Sequence, residues 1–198
     1  MIHIYINNKS DKTLIMLHGT GGNEHDLISL AKRVNDKYNI LSIRGNVLEN
    51  GMNRYFKRIS VGVYDLNSYI NETNHLIENI KMFGEKYKFD INKAIGIGFS
   101  NGANILLGIL QENPILNNYV LLSPDYINSN KGFNNLKNKN IFISTAKDDP
   151  YVNYENMKKL INELKKNEAN VNVLTTTGHQ INLDVLENMK LFVKNINH

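Results

Sequence analysis

Short apolar runs alternate with longer amphipathic stretches along the whole chain. Several of the runs are almost continuous Ile, Leu and Val, which is typical of parallel strands buried on both faces. The runs predict strands over residues 2–6, 13–18, 39–45, 93–100, 118–124, 140–145 and 170–176. The stretches between them predict helices over residues 24–37, 66–87, 102–112, 151–167 and 181–196.

The stretch 151–167 shows the helical pattern clearly. Its apolar residues recur at the i, i+3, i+4, i+7 spacing that forms one buried face, at Met157, Leu160, Ile161 and Leu164. The repeated alternation of strand and helix predicts an α/β fold with right-handed crossovers and a doubly wound, mostly parallel sheet.

One sizeable stretch, 44–65, is rich in Gly, Asn and aromatic residues and predicts an irregular, pocket-forming loop.

Composition narrows the class of protein. The 198 residues contain no internal repeat or linker, which predicts one domain over 1–198. The net charge of +4 comes from dispersed Lys and Arg residues, so we expect no nucleic-acid partner. The absence of Cys excludes disulfides, thiolate metal sites and a Cys nucleophile, and it fits a cytoplasmic location.

Membrane and export signals are not evident in the sequence. The first residues lack a basic segment followed by a long apolar run, so we expect no signal peptide. No apolar run approaches the roughly 18 residues that a membrane span needs.

The segment GIGFSNGANI, residues 96–105, is the strongest chemical signal. It places Ser100 between Gly98 and Gly102, at the junction of a predicted strand and a predicted helix. Small flanking residues permit the strained turn that lifts a serine hydroxyl above the sheet edge, as in a nucleophile elbow. The alternative is a Gly-rich turn whose serine caps the helix.

A serine hydroxyl needs a general base, and six histidines are available. His179 is the candidate, because it lies in a loop between the last strand and the last helix, and Gly178 gives that loop freedom. The alternative for His179 is a helix N-terminus without a catalytic partner. We expect structural or surface positions for the other five: His3 and His75 at the surface, His18 in packing or hydrogen bonding, His25 at a helix start, and His198 at the terminus.

The acid that would orient the base is sought in loops that follow strands. Asp149 is the first candidate, in the segment AKDDPYV after the penultimate strand. Because it precedes Pro150, it could also be an ordinary helix N-cap. Asp148 and Asp125 remain alternatives for the acid.

The segment LHGTGGNEHDL, residues 17–27, predicts an oxyanion hole. Its Gly-rich loop can aim the N–H of Thr20 at a developing oxyanion, together with the N–H of Asn101, which follows the nucleophile. A phosphate-binding loop is the competing interpretation. It is disfavoured because the Gly-Lys-Ser/Thr ending is missing and because Glu24 and Asp26 would repel phosphate.

Together these segments resemble the carboxylesterase and phospholipase branch of the α/β-hydrolase superfamily. The similarity is greatest to bacterial hydrolases linked to hydroquinone and quinone stress, and acyl-protein thioesterases are more distant. It spans about residues 13–192 and rests on LHGTGGNEHDL, RGNVLENGMNRYF, GIGFSNGANI, AKDDPYV and TGHQI. The resemblance implies a Ser100–Asp149–His179 triad without metal or cofactor, in a compact version of the fold without a large lid. Asn53 stands where relatives are expected to have Pro.

The expected reaction is hydrolysis of small carboxylic esters through an acyl-enzyme on Ser100. Met52, Tyr55 and Phe56 are the expected apolar contacts of the substrate, unless they belong to an ordinary packed loop.

The alternative function is that of a thioesterase or lysophospholipase acting on longer acyl chains, followed by a non-catalytic ligand-binding module. A small-molecule ester is the expected partner, and the choice between a monomer and a homodimer is left open. The histidines lack the i, i+4 spacing of a helical zinc pair, so we expect no metal site.

Overall fold

The computed structural model describes residues 1–60 and 62–196, so His198 lies outside the described residues. Its strands are β1 (His3–Ile6), β2 (Thr13–Leu17), β3 (Asn39–Ile43), β4 (Val47–Glu49), β5 (Met52–Arg54), β6 (Arg58–Ser60), β7 (Val63–Tyr64), β8 (Ile95–Phe99), β9 (Asn118–Leu122), β10 (Asn140–Ala146) and β11 (Asn170–Thr176). Seven of the strands in these ranges form one sheet in the order β1-β3-β2-β8-β9-β10-β11. Every neighbouring pair is parallel except β1 and β3. The doubly wound, mostly parallel α/β fold is therefore confirmed.

Helices cover both faces of this sheet. They are α1 (Ile28–Val34), α2 (Leu66–Tyr87), α3 (Asn101–Glu112), α4 (Tyr154–Lys166) and α5 (Leu183–Asn195), with a short 3₁₀ turn at Ile91–Lys93. Strand β2 is buried at every position. Its Ile15 and Leu17 pack in the core with α2, α3 and α4, whereas Leu14 and Met16 pack with α1 and α5. Because side chains alternate between faces, a strand covered on both sides consists mainly of apolar residues, as Leu14 to Leu17 do here.

Two predicted helices begin three or more residues later than the sequence pattern indicated, and α5 begins two residues later, at Leu183 rather than at 181. Helix α1 begins at Ile28 rather than at 24, because the chain from Asn23 to Leu27 forms turns in which the Asn23 N–H donates to the Asp26 carboxylate at 3.2 Å. Helix α4 begins at Tyr154 rather than at 151. Its N-cap is Asn153, whose side chain accepts the first free backbone N–H groups of the helix.

The stretch 44–65 is more regular than predicted. Strands β4 and β5 pair as an antiparallel hairpin, and β6 and β7 pair as a second one. The first hairpin turns at Asn50 and Gly51, which have φ angles of 50° and 78°. An Asn-Gly pair with both φ angles positive is the preferred two-residue hairpin loop, so the signal for this correction was present in the sequence.

No helix within residues 1–60 and 62–196 is long and apolar enough to cross a membrane.

Candidate active site

Ser100 occupies a sharp turn between β8 and α3, with φ of 52° and ψ of −115°. A Cβ atom on Gly98 would lie 2.3 Å from the carbonyl oxygen of Gly102. A Cβ atom on Gly102 would lie 2.1 Å from the carbonyl oxygen of Leu17. Both distances are far below van der Waals contact, so the close approach of helix and strand requires glycine at each position. The Ser100 side chain makes no capping hydrogen bond, which contradicts the alternative in which it serves as the helix cap.

The imidazole of His179 joins Ser100 to Asp149. Its Nε2 atom lies 2.9 Å from the Ser100 Oγ, and its Nδ1 atom lies 2.7 Å from Oδ2 of Asp149. The side chains of His179 and Asp149 are 12% and 2% exposed. Gly178, with φ of 64°, forms the turn that precedes the histidine. The three side chains thus form one hydrogen-bonded chain that is largely shielded from water.

The Asp149 carboxylate is held in a fixed orientation. Its Oδ1 atom accepts the backbone N–H groups of Tyr151 at 2.8 Å and of Val152 at 3.2 Å. This leaves Oδ2 for the histidine. Because Asn153 caps α4, the alternative in which Asp149 is the N-cap of that helix is wrong.

The two alternative acids have other partners. Asp148 accepts the backbone N–H of Gly178 at 2.9 Å and so supports the loop that carries the histidine. Asp125 accepts from the Asn156 side chain at 2.9 Å. Burial raises the pKa of Asp125, and the nearby negative charge of Asp149 adds to this effect. Neither carboxylate hydrogen-bonds His179 within the part of the chain that the structure describes.

Aromatic rings enclose the His179 imidazole. The ring of Phe99 lies 5.3 Å away between centroids, and that of Tyr151 lies 5.1 Å away in an edge-on arrangement. These contacts restrict rotation of the imidazole while its Nε2 atom faces the serine.

The loop of Gly19 to Gly22 borders the same cleft, and two hydrogen bonds from Asn53 hold it. The Asn53 carbonyl accepts the N–H of Gly21 at 2.9 Å, and the Asn53 side chain donates to the Gly22 carbonyl at 2.8 Å. Thr20 and Asn101, whose backbone N–H groups are the expected oxyanion donors, both line the cleft. The side chain of Asn101 accepts the backbone N–H of the buried Tyr55 at 2.8 Å.

His18 lies beneath this loop and has a structural role, as expected. It is buried, and its Nδ1 atom donates to the carbonyl of Gly19 at 2.6 Å. Its Nε2 atom accepts the N–H of Gly45 at 3.0 Å, which fixes the neutral tautomer. Burial lowers the pKa of His18, so the charged form is disfavoured.

The other histidines that the structure describes, His3, His25 and His75, do not line the cleft. His3 was expected at the surface but is partly buried, because its ring packs 3.9 Å from that of Phe83 and its Nε2 atom hydrogen-bonds the Tyr87 hydroxyl at 2.8 Å. His75 has an exposed side chain on α2, as expected. His25 lies in the turns before α1 rather than at a helix start.

The cleft beside Ser100 has a volume of about 560 Å³, within the range that binds small molecules. Met52 lines it, as do Arg54, Arg58 and Tyr64, which sequence reasoning did not single out. Tyr55 and Phe56 have no exposed surface and belong to the core, so their expected contact with substrate is corrected. Tyr55 instead donates its hydroxyl to the Ile43 carbonyl at 2.6 Å.

Comparison with known proteins places the chain in a family. The profile of the phospholipase/carboxylesterase family matches residues 4–197. The chain belongs to this family. It is an esterase-type hydrolase of the α/β-hydrolase fold, as the sequence resemblance implied.

Individual family members and solved structures are similar over nearly the whole chain. The Bacillus subtilis (strain 168) protein MhqD, whose name describes a hydrolase, is 37% identical over 183 residues, covering 91% of this chain and 92% of that one. A Bacillus cereus carboxylesterase structure is 36% identical with a TM-score of 0.94, covering 98% of this chain and 93% of that one. A Mesorhizobium loti carboxylesterase structure shares the fold at 21% identity, with a TM-score of 0.88 and coverage of 97% and 93%.

Metal ligands are not grouped in the described parts of the chain. Residues 1–60 and 62–196 contain no cluster of three or more His, Asp or Glu side chains arranged to hold an ion.

Proposed function

We propose that the protein hydrolyses small carboxylic esters through an acyl-enzyme on Ser100. The observation that carries this proposal is the hydrogen-bonded chain from the Ser100 Oγ through both nitrogens of His179 to Asp149. Membership of the phospholipase/carboxylesterase family supports the same reaction class.

In the proposed acylation, the Ser100 hydroxyl attacks the ester carbonyl carbon and gives its proton to Nε2 of His179. Asp149 holds the imidazole in the required tautomer and stabilises the imidazolium without taking the proton itself. The backbone N–H groups of Thr20 and Asn101 stabilise the negative charge that develops on the carbonyl oxygen.

Collapse of the tetrahedral intermediate breaks the bond to the alcohol oxygen, which takes the proton from His179 and leaves. A water molecule then enters. His179 removes a proton from this water as its oxygen attacks the acyl carbon, and returns the proton to the Ser100 oxygen as the carboxylic acid departs. Serine and histidine are regenerated, so the cycle consumes one ester and one water.

A second candidate is a thioesterase or lysophospholipase that acts on longer acyl chains. It is favoured by the hairpin of β6 and β7, whose Arg58 and Tyr64 line the cleft while Ile59 and Val63 are exposed on the same hairpin. Such apolar surface could cover the far end of a long chain. A small ester needs no more than the cleft itself.

Covalent labelling tests the nucleophile. A fluorophosphonate probe, followed by peptide mass spectrometry, should modify Ser100 in the wild-type protein and leave Ser100→Ala unmodified. Failure to label Ser100 in folded protein would favour a non-catalytic binding module.

A panel of oxyesters and thioesters of graded acyl length distinguishes the small-ester function from the long-chain one. A rise in kcat/KM with chain length would favour the long-chain candidate.

We also propose that the chain acts as one domain over residues 1–198, in a reducing cytoplasm. The lack of cysteine supports that compartment. A homodimer is not required for the proposed chemistry, because one chain supplies every residue named in it.

A further inference from the structure

Two arginines, Arg54 and Arg58, line the same cleft as Ser100 and His179. Arg54 is only 3% exposed. A charged side chain is seldom buried to this extent unless its charge is compensated, because removal from water costs several kcal/mol. The counter-charges around the two guanidinium groups therefore indicate what the cleft is built to bind.

One carboxylate serves both arginines. Glu49 accepts from Nε of Arg58 at 2.5 Å, whereas its second oxygen lies 3.5 Å from Nε of Arg54. No other carboxylate within residues 1–60 and 62–196 forms an ion pair with either arginine. Two cations thus share one anion, and the closer pairing belongs to Arg58.

The remaining partners of Arg54 are neutral. Its Nη1 group donates to the Thr20 hydroxyl at 2.9 Å, and its Nε group donates to the Phe56 carbonyl at 3.3 Å. Burial lowers the pKa of Arg54, as expected of a cation whose lost hydration is only partly replaced. The wall of the cleft consequently carries about one positive charge that the protein itself does not neutralise.

We propose that Arg54 and Arg58 form a subsite for a carboxylate on the substrate, so that the preferred esters are half-esters of short dicarboxylic acids. The inference rests on the proposed function, with Ser100 as the nucleophile. Arginine suits this purpose because its planar guanidinium matches a carboxylate with two parallel hydrogen bonds. An anion in a cleft lined by one sign of charge also experiences a stronger attraction than it would in open solvent.

The position of Arg54 limits the length of the substrate. Arg54 bonds the side chain of Thr20, whose backbone N–H is the proposed oxyanion donor. A carboxylate that reaches the guanidinium is therefore separated from the scissile carbonyl by a short spacer. Monoethyl glutarate meets this requirement, and the ester in which a nitro group replaces its carboxylate is a neutral analogue of the same shape.

The test compares kcat/KM for these two esters, measured by acid release. We expect wild-type protein to prefer monoethyl glutarate by about tenfold or more, the effect of a hydrogen bond to a charged group. Arg54→Gln should reduce this preference to about one, while Arg54→Lys should retain part of it. The ratio is informative even if Arg54→Gln disturbs Thr20, since such damage affects both esters alike.

A second variant moves the preference in the opposite direction. Glu49→Gln removes the shared counter-charge and should increase the preference for the anionic ester by several-fold, which loss of structure alone would not do. Arg33→Gln is the matched control, because Arg33 is exposed on α1 and does not line the cleft. It should leave the ratio unchanged.

Two results would overturn the subsite. One is a wild-type protein whose kcat/KM for the nitro ester equals its kcat/KM for monoethyl glutarate. The other is an unchanged ratio in both Arg54→Gln and Glu49→Gln. Either result leaves the proposed function intact, since ester hydrolysis would still be observed. Failure of the proposed function has a different signature, in which wild-type protein hydrolyses neither ester and is not labelled at Ser100.

Discussion

The Nε2 atom of His179 lies 2.9 Å from the Oγ atom of Ser100, although 79 positions separate the two residues in the chain. The sheet explains this proximity. Ser100 directly follows β8, and His179 follows β11 in a short loop. The carboxyl ends of parallel strands meet at one edge, so residues that follow different strands can converge there.

Substitution of Ser100 by Ala should abolish ester hydrolysis. We expect kcat to fall by about 10⁴ to 10⁶, because the oxygen that forms the acyl bond is removed. The side chain makes no capping hydrogen bond, so the melting temperature should stay near that of wild type. A variant that keeps a tenth of wild-type activity would contradict the assignment.

Substitution of single carboxylates distinguishes the acid from its neighbours. Asp149→Asn should lower kcat by about 10⁴, because an amide cannot hold the imidazole in the same tautomer. Asp148→Asn and Asp125→Asn should stay within about tenfold of wild type, since neither carboxylate bonds the histidine. Steady-state kinetics of the three variants decide the point. A larger loss in Asp125→Asn than in Asp149→Asn would move the acid to the loop after β9.

Asn53→Ala should impair turnover more than substrate binding. The variant loses the 2.8 Å hydrogen bond to the Gly22 carbonyl and loosens the loop that carries Thr20. We expect kcat to fall by roughly tenfold, with KM changing less, because an oxyanion donor acts mainly in the transition state. Asn74→Ala is the control, at an exposed position of α2. Equal kinetics for both variants would show that the loop holds without Asn53.

His18 should make the free energy of unfolding depend on pH. Its pKa is lowered in the folded protein, whereas the unfolded chain has an ordinary value of about 6.5. Below about pH 6.5 the unfolded state therefore binds a proton that the folded state does not, and stability falls as the pH decreases. At higher pH this contribution is constant.

Urea unfolding between about pH 5 and 8 measures the His18 effect. His18→Gln should reduce the pH slope below about pH 6.5 by up to one proton, or about 1.4 kcal/mol per pH unit. His75→Gln, at an exposed site, should retain the wild-type slope. The prediction fails if both variants show the same slope.

Exhaustive chelation should leave ester hydrolysis unchanged. In the proposed mechanism a serine oxygen is the nucleophile and backbone N–H groups stabilise the oxyanion, so no step requires a metal ion. Activity is measured before and after treatment with chelator. Loss of activity that a divalent ion restores would point to metal-activated water instead.

Local signals account for the features that sequence reasoning predicted well. The elbow depends on Gly98 and Gly102, whose lack of side chains is visible in the sequence. The buried strands are also visible in the sequence, because a sheet covered on both faces consists mainly of apolar residues. The order of serine, acid and histidine along the chain then follows from the topology of the family.

Features that depend on three-dimensional register were not accessible from the sequence. Asp148 and Asp149 are adjacent, and only the folded loop determines which carboxylate faces His179. Tyr55 was expected in the cleft, but its hydroxyl bonds the Ile43 carbonyl inside the core. Glu49 and Arg54 lie on the first hairpin and Arg58 lies on the second, so their grouping depends on how the two hairpins fold. Only the first hairpin had a recognisable sequence signal, its Asn-Gly turn.

Helix α3 is buried at every position from Asn101 to Gln111. Ser100, which directly precedes it, is therefore held by a more stable part of the molecule than His179 and Asp149 are. Amide hydrogens in an interior helix exchange with solvent mainly when the whole molecule unfolds, whereas exposed segments exchange through local opening. His179 follows β11, an edge strand without a fully buried residue, and Asp149 precedes the exposed Tyr151. On warming, the base and acid should therefore separate from the serine before global melting, and activity should decline reversibly while α3 is still protected from exchange.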